Sequence, residues 1–190
     1  MAVDERGMSL LEVVVALCLF AVLSLGLFSL FLSGRMASAA GSGKQEALCL
    51  ARAVMEAVKA SPVEWEGQVR GAGSDYIVLE NKADDRDDAY KGFCLAVVEG
   101  AGQGQVRKIQ SYVGSSRTAY VAPSWSSTPD TSSRYLVFRL GSELGDVEKV
   151  AVTATPSSPA GLEEVKVVVK YRTPWGEREV QLTCERWKGT

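Results

Sequence analysis

Hydrophobic and polar residues follow one another along this chain in three regimes. From Val13 to Leu32 twenty residues pass without a charge. A helix of that length rises roughly 30 Å, the thickness of a bilayer's hydrocarbon core. Among its Val, Leu, Ala and Phe residues stand Ser24, Gly26 and Ser29, small side chains that let neighbouring helices approach closely in lipid. A small-residue stretch, MASAAGSG, follows Arg35 and reads either as helix or as a loose connection. In KQEALCLARAVMEAVKASP the apolar residues Ala47, Leu50, Ala51, Val54, Met55 and Val58 then recur at helical spacing. Lys44, Glu46, Arg52, Glu56 and Lys59 stand between them, so this segment predicts one amphipathic helix. Pro62 discourages its continuation by biasing Ser61 away from helical geometry.

Beyond residue 62 the period changes to two. DYIVLEN, GFCLAVVEG, QVRKIQSYV, RTAYVA, RYLVFRL, EKVAVTAT, EEVKVVVKYR and REVQLTCERW are rich in β-branched residues and are separated by Gly, Pro, Ser and Asp clusters. They predict a mostly antiparallel β head. Val165, Val167, Val169 and Tyr171 form one buried face against Lys166 and Lys170, and TPWGE supplies a turn into Val180, Leu182 and Cys184. A second hairpin is expected from Val106 to Tyr112, turning at Gly114-Ser115-Ser116 and returning through Arg117 to Val121. Pro123-Ser124-Trp125 ends it.

Composition narrows the chemistry. A chain of 190 residues with 46% hydrophobic and 23% charged residues is that of a folded domain with an appendage. The net charge of -2 and the lack of a dense Lys/Arg cluster give no footprint for nucleic acid. The sequence has no histidine, which removes the commonest general base, the commonest zinc ligand and every Ser-His or Cys-His nucleophile. No paired acid/base group, metal cluster or nucleophile motif stands out, so an enzyme is the weakest reading and no cofactor is expected. Gly-Ala-Gly-Gln-Gly at 100–104 departs from a phosphate-binding loop, because Gln105 stands where the third glycine is needed and no helix is expected to follow.

The apolar run is too long for the core of about 7–15 residues in a cleaved secretory signal, and its leader MAVDERG sets Asp4 and Glu5 against Arg6. The run is therefore expected to stay on the protein. Arg6 and the initiator amine face Arg35 and Lys44 across the span, so basic residues alone do not orient it. A simple anchor does not account for Glu12, since an acid at the centre of a span costs up to about 3 kcal/mol. It is either an interfacial acid near the headgroups or a group that needs a positive partner.

The string G-M-S-L-L-E-V-V-V-A-L, from Gly7 to Leu17, resembles the class III leader of type IV pilins and of type II secretion pseudopilins. The resemblance implies cleavage between Gly7 and Met8 by a membrane-embedded prepilin peptidase and N-methylation of Met8. It also implies that the hydrophobic helix is retained to hold the subunit in the inner membrane and later to pack in a filament core. Glu12 would neutralise the terminal amine of an adjacent subunit during assembly. Met8 stands where many major pilins have phenylalanine, and the mid-helix proline frequent in the family is absent. Gly26 is then the one place for a kink.

The fold class implied is α+β and pilin-like, a long N-terminal helix packed on a mainly antiparallel β head. Its parts are a leader at 1–7, a membrane or filament-core helix at 8–34, an amphipathic helix at 35–61 and the head at 62–190. The implied protein is a minor pilin-like subunit of a type IV pilus or related filament. Alternatives are a minor pseudopilin of a secretion or DNA-uptake system and a membrane-anchored extracytoplasmic binding module. Its partners would be other pilin or pseudopilin subunits, the prepilin peptidase and the inner membrane, with the head outside the cytoplasm.

Three features of the head remain open at this level. The run Asp84 to Asp88 is either a solvated acidic turn or, since some pseudopilins carry calcium in the head, a calcium site. Cys94 and Cys184 fall in expected strands and are either a disulfide or two buried thiols. Trp125 and Trp175 sit in turn-like contexts, PSW and PWG, as core residues or as solvent-facing contact residues. The 100–138 segment also resembles a β-hairpin module of phage tail and other surface structural proteins, which implies a grafted β unit.

Overall fold

The computed structural model describes residues 10–141, 149–157 and 161–187. Helical structure is unbroken from Leu10 to Ala60 (α1), through Gly26, Gly34, Gly41 and Gly43, so the small-residue stretch 36–43 is helix and not a loose connection. The chain divides into two compact units, one ending at Ser42 and the other beginning at Gly43.

In the first unit α1 carries its apolar side chains on the outside on every face, from Leu10 and Leu11 to Phe31 and Leu32. It is one helix long and apolar enough to cross a membrane.

In the second unit the buried residues of α1 are Ala47, Leu50, Ala51, Val54, Met55 and Val58, the stripe expected from helical periodicity. The helix stops before Pro62, and Ser61 closes its end. The Ser61 amide donates to Val58 O (3.3 Å) and the Ser61 hydroxyl to Ala57 O (2.9 Å), satisfying carbonyls that a helix end leaves without partners.

Ten strands follow: β1 (Glu66–Gln68), β2 (Gly71–Ala72), β3 (Tyr76–Val78), β4 (Cys94–Glu99), β5 (Gly104–Val113), β6 (Thr118–Ala122), β7 (Arg134–Phe138), β8 (Val150–Ser157), β9 (Leu162–Thr173) and β10 (Gly176–Trp187). Every pairing among them is antiparallel. One path runs β1-β7-β4-β5-β6-β3-β2, and β8, β9 and β10 branch from it at β5. Gly104 and Gln105, at the start of β5, pair with β8, whereas Lys108 to Val113 pair with β6. All eight strand segments expected from alternation are present. The two-residue β2 and three-residue β1 are too short to show a period.

Two hydrophobic cores lie on opposite faces of this sheet. The first holds the α1 stripe with Cys94, Ala96 and Val98 of β4, Leu136 and Phe138 of β7, the alternate valines of β8, and Val165, Val167 and Val169 of β9. The second holds Leu95, Val97, Ile109, Tyr112, Tyr135 and Val137 under a cover that includes Leu79, Ala83, Tyr90 and Trp125. Consecutive residues of β4 and β7 thus serve different cores, and neither strand has a wet face.

Candidate functional site

The residues singled out at the N-terminus fall in two groups. Gly7 and Met8 lie outside the described residues. Glu12 lies in the first turn of α1 with its side chain exposed beside Leu11 and Val13. A carboxylate there is favourably placed with respect to the helix dipole, whose positive end is at the N-terminus. Further along, the Ser29 hydroxyl donates to Gly26 O and the Ser33 hydroxyl to Ser29 O, each at 2.9 Å. These polar groups are satisfied within the helix itself, as an apolar surrounding requires.

At the far end of α1 the head buries an ionic cluster. Glu66 and Glu163 are each 3% exposed and face two guanidiniums. Arg134 meets Glu66 at 3.1 Å, Glu163 at 2.9 Å and the half-exposed Glu99 at 3.3 Å. Arg186 pairs with both Glu66 and Glu163 and also donates to Val58 O in the last turn of α1 (3.2 Å). Burial raises the pKa of Glu163, but Arg134 and Arg186 outweigh it, and the carboxyl is held below its ordinary value. The cluster ties β1, β7, β9 and β10 to the end of the helix. Buried ion pairs contribute little net stability compared with apolar packing, and losing one member is costly because a charge is then stranded.

This cluster was missed in the sequence, although the strand period contains it. Two residues before Val165 on the same face is Glu163, two beyond Cys184 is Arg186, and two before Leu136 is Arg134. Glu66 pairs with Leu136 in the register and so shares that face.

The acidic run is occupied in holding the second core's cover in place. Asp84 accepts bonds from the Arg86 amide (2.9 Å) and guanidinium (2.6 Å), which bring its pKa down to about 2. Asp87 accepts from the Gly114 amide at 2.8 Å. Asp88 accepts from the Tyr112 amide (3.2 Å) and from Lys91 (3.1 Å). The Tyr112 hydroxyl donates to Asp84 O (2.5 Å), and burial pushes its pKa up to about 12. The Gly114 turn lies so close to the loop that a Cβ there would sit 2.0 Å from Asp85 O. Among the described residues no group of three or more Cys, Asp or Glu side chains is gathered to hold a metal ion.

Of the two alternatives left open for Cys94 and Cys184, the structure has both as free thiols. Cys94 stands on the central strand β4 opposite Lys108 and Phe138, and its burial raises its pKa to about 11. Cys184 stands on the outermost strand β10, where its sulfur lies 2.9 Å from Met55 Sδ. Facing the same core does not make the two strands neighbours.

The two turn tryptophans part company. Trp125 is a core residue, 7% exposed, with Arg107 stacked 5.6 Å from its ring. Arg107 donates to Ser124 O (3.2 Å) and the Ser126 hydroxyl (3.1 Å), so the PSW turn is bound to β5. Trp175 occupies the two-residue β9–β10 turn and is 63% exposed.

Comparison with protein-family models, curated proteins and solved structures returned no match.

Proposed function

We propose that this chain is a minor pilin-like structural subunit, processed at Gly7–Met8, held in the inner membrane by α1 and then incorporated into a type IV pilus or related filament. The observation that carries the reading is the continuity of α1. One uninterrupted helix joins a bare apolar surface over Leu10–Leu32 to a stripe buried in a β head. Glu12 at the start of that helix is the acid through which a subunit would accept a neighbour's terminal amine, and burying such a pair fixes axial register, since only one stagger satisfies both charges. Glu66, Arg134, Glu163 and Arg186 are engaged in packing and Asp84, Asp87 and Asp88 in closing loops, which suits a decorating or adapting structural role.

The test is the mass of the N-terminal peptide after production together with a prepilin peptidase. Loss of Met1–Gly7 with one methyl group added to Met8 is the expected product. An intact leader, or cleavage after the apolar run, would exclude the pilin reading and leave a membrane-anchored module.

A further inference from the structure

Two arginines are drawn onto one asparagine beside the second core. Asn81 ends a stretch, beginning in β3, that runs between Arg70, just before β2, and Arg117, just before β6. The Arg70 amide donates to Val78 O (3.0 Å) and the Leu79 amide to Arg117 O (2.9 Å), so backbone bonds fix both arginines against that stretch. The Arg70 guanidinium then donates to Asn81 Oδ1, and Arg117 Nε donates to Asn81 O (2.9 Å). Both acceptors are neutral, and each guanidinium spends on them one of its five N–H groups.

Among the described residues neither guanidinium forms an ion pair. The carboxylates of the adjoining loop are engaged elsewhere: Glu80 with Lys82 (3.6 Å), Asp84 with Arg86 (2.6 Å), Asp88 with Lys91 (3.1 Å) and Asp87 with the Gly114 amide. Asp85 pairs with neither arginine. Two positive charges thus stand side by side with no carboxylate in contact, Arg70 exposed and Arg117 half-buried.

Arg117 is also held against its backbone preference. The β5–β6 hairpin turns from Gly114 to Arg117, whose amide donates to Gly114 O (3.2 Å), and φ at Arg117 is +53°. That left-handed conformation is the usual place for glycine in such a turn. A strained long side chain at the position that reaches Asn81 points to a role for the side chain itself.

We infer that Arg70 and Arg117 form a binding site for a phosphate group, with Asn81 as the template that holds the two guanidiniums in place. A carboxylate presents two oxygens and is satisfied by a single guanidinium, whereas a phosphate presents three or more and can take two at once. Lys82, the next residue, adds a cation whose exposed pairing with Glu80 is weak enough to yield. The site lies wholly within the second unit and does not depend on α1 crossing a membrane or entering a filament.

The test is calorimetric titration of the full chain in maltoside detergent at low salt, with inorganic phosphate, glycerol phosphate and acetate at matched ionic strength. Saturable phosphate binding, about tenfold tighter than that of acetate, is the expected result. Arg70→Gln should weaken it about tenfold, the size of one lost charge-assisted contact. Arg117→Gly should weaken it as much while leaving the unfolding midpoint unchanged or higher, because glycine suits the backbone there. Arg117→Lys keeps the charge without the planar donors and should recover only part of what Arg117→Gly loses. Tighter binding of glycerol phosphate than of inorganic phosphate assigns the site to a phosphate carried on a larger molecule, and the reverse order assigns it to the free ion; both support the inference. No saturable phosphate binding overturns it, as does binding that persists in Arg70→Gln and Arg117→Gly. Acetate binding as tight as phosphate binding overturns the choice of ligand.

Discussion

The Arg186 guanidinium, on the last described strand, donates to the carbonyl of Val58 in the final turn of α1 while pairing with Glu66 and Glu163. One side chain near the end of the sequence thus closes the end of the first element. Arg186→Ala is expected to cost about 3–5 kcal/mol, because it strands the buried carboxylates. Arg186→Met with Glu163→Leu leaves Arg134 and Glu66 as a balanced pair and should cost less than the two single changes summed. A double-mutant cycle by urea unfolding of the full chain in detergent checks this.

Acid should weaken the same cluster. Glu163 is held below its ordinary value of 4.5 in the folded protein, so the folded state binds its proton less tightly than the unfolded state. Its contribution is complete above that ordinary value and is lost as pH falls through the lower folded value. Unfolding midpoints from about pH 6 to about pH 3 should fall more steeply for the native chain than for Glu163→Gln. Parallel curves would show that Glu163 does not carry the effect.

Gly114→Ala forces a Cβ to within 2.0 Å of Asp85 O, against backbone that cannot swing aside. A loss of more than about 2 kcal/mol is expected. Gly71→Ala, whose Cβ would meet Val78 at 3.9 Å, serves as the control and should leave the midpoint nearly unchanged.

Cysteine reactivity should divide by position. Cys49 is exposed, whereas Cys94 is buried with its pKa raised to about 11, and the thiolate is the reactive form. Maleimide at neutral pH is expected to label Cys49 in the folded chain and Cys94 only after unfolding. Mass measured without reductant should show no bridge between Cys94 and Cys184. Cys18, exposed on the bare helix, should become protected when lipid covers α1.

For Glu12, replacement by Ala or Lys should leave membrane insertion intact and impair incorporation into the filament. Fractionation and co-purification with other subunits measure the two steps separately. Unchanged co-purification would count against an amine-pairing role.

Much of this architecture was legible before any coordinates, for a physical reason. The stripe from Ala47 to Val58 and the valines of β9 bury one face each, so periodicity alone names their partners' side. The segments with both faces covered were harder to read. Leu95 and Val97 of β4 look like ordinary strand residues, and nothing local announces that the loop around Ala83 and Tyr90 folds over them as a second core. The acidic run was ambiguous because its carboxylates bond to backbone amides of Tyr112 and Gly114, more than twenty residues away. The ionic cluster was within reach, because strand parity puts Glu163, Arg134 and Arg186 on the buried face, but a pattern of apolar residues does not single out charged members of that face. Gly7 and Met8, on which the proposed processing depends, rest on sequence resemblance alone.

The branching of the sheet at β5 has a mechanical side. The opening residues of β5 bind β8, and its later residues bind β6, so a single strand is a member of both halves of the head. A pull on α1 enters through the valine-lined core and through Arg186. It must then be shared by β5 with both groups of strands, since neither can peel away without straining the other. The head should therefore yield under load in one step, and a stretched subunit would show a single rupture force where separable halves would show two.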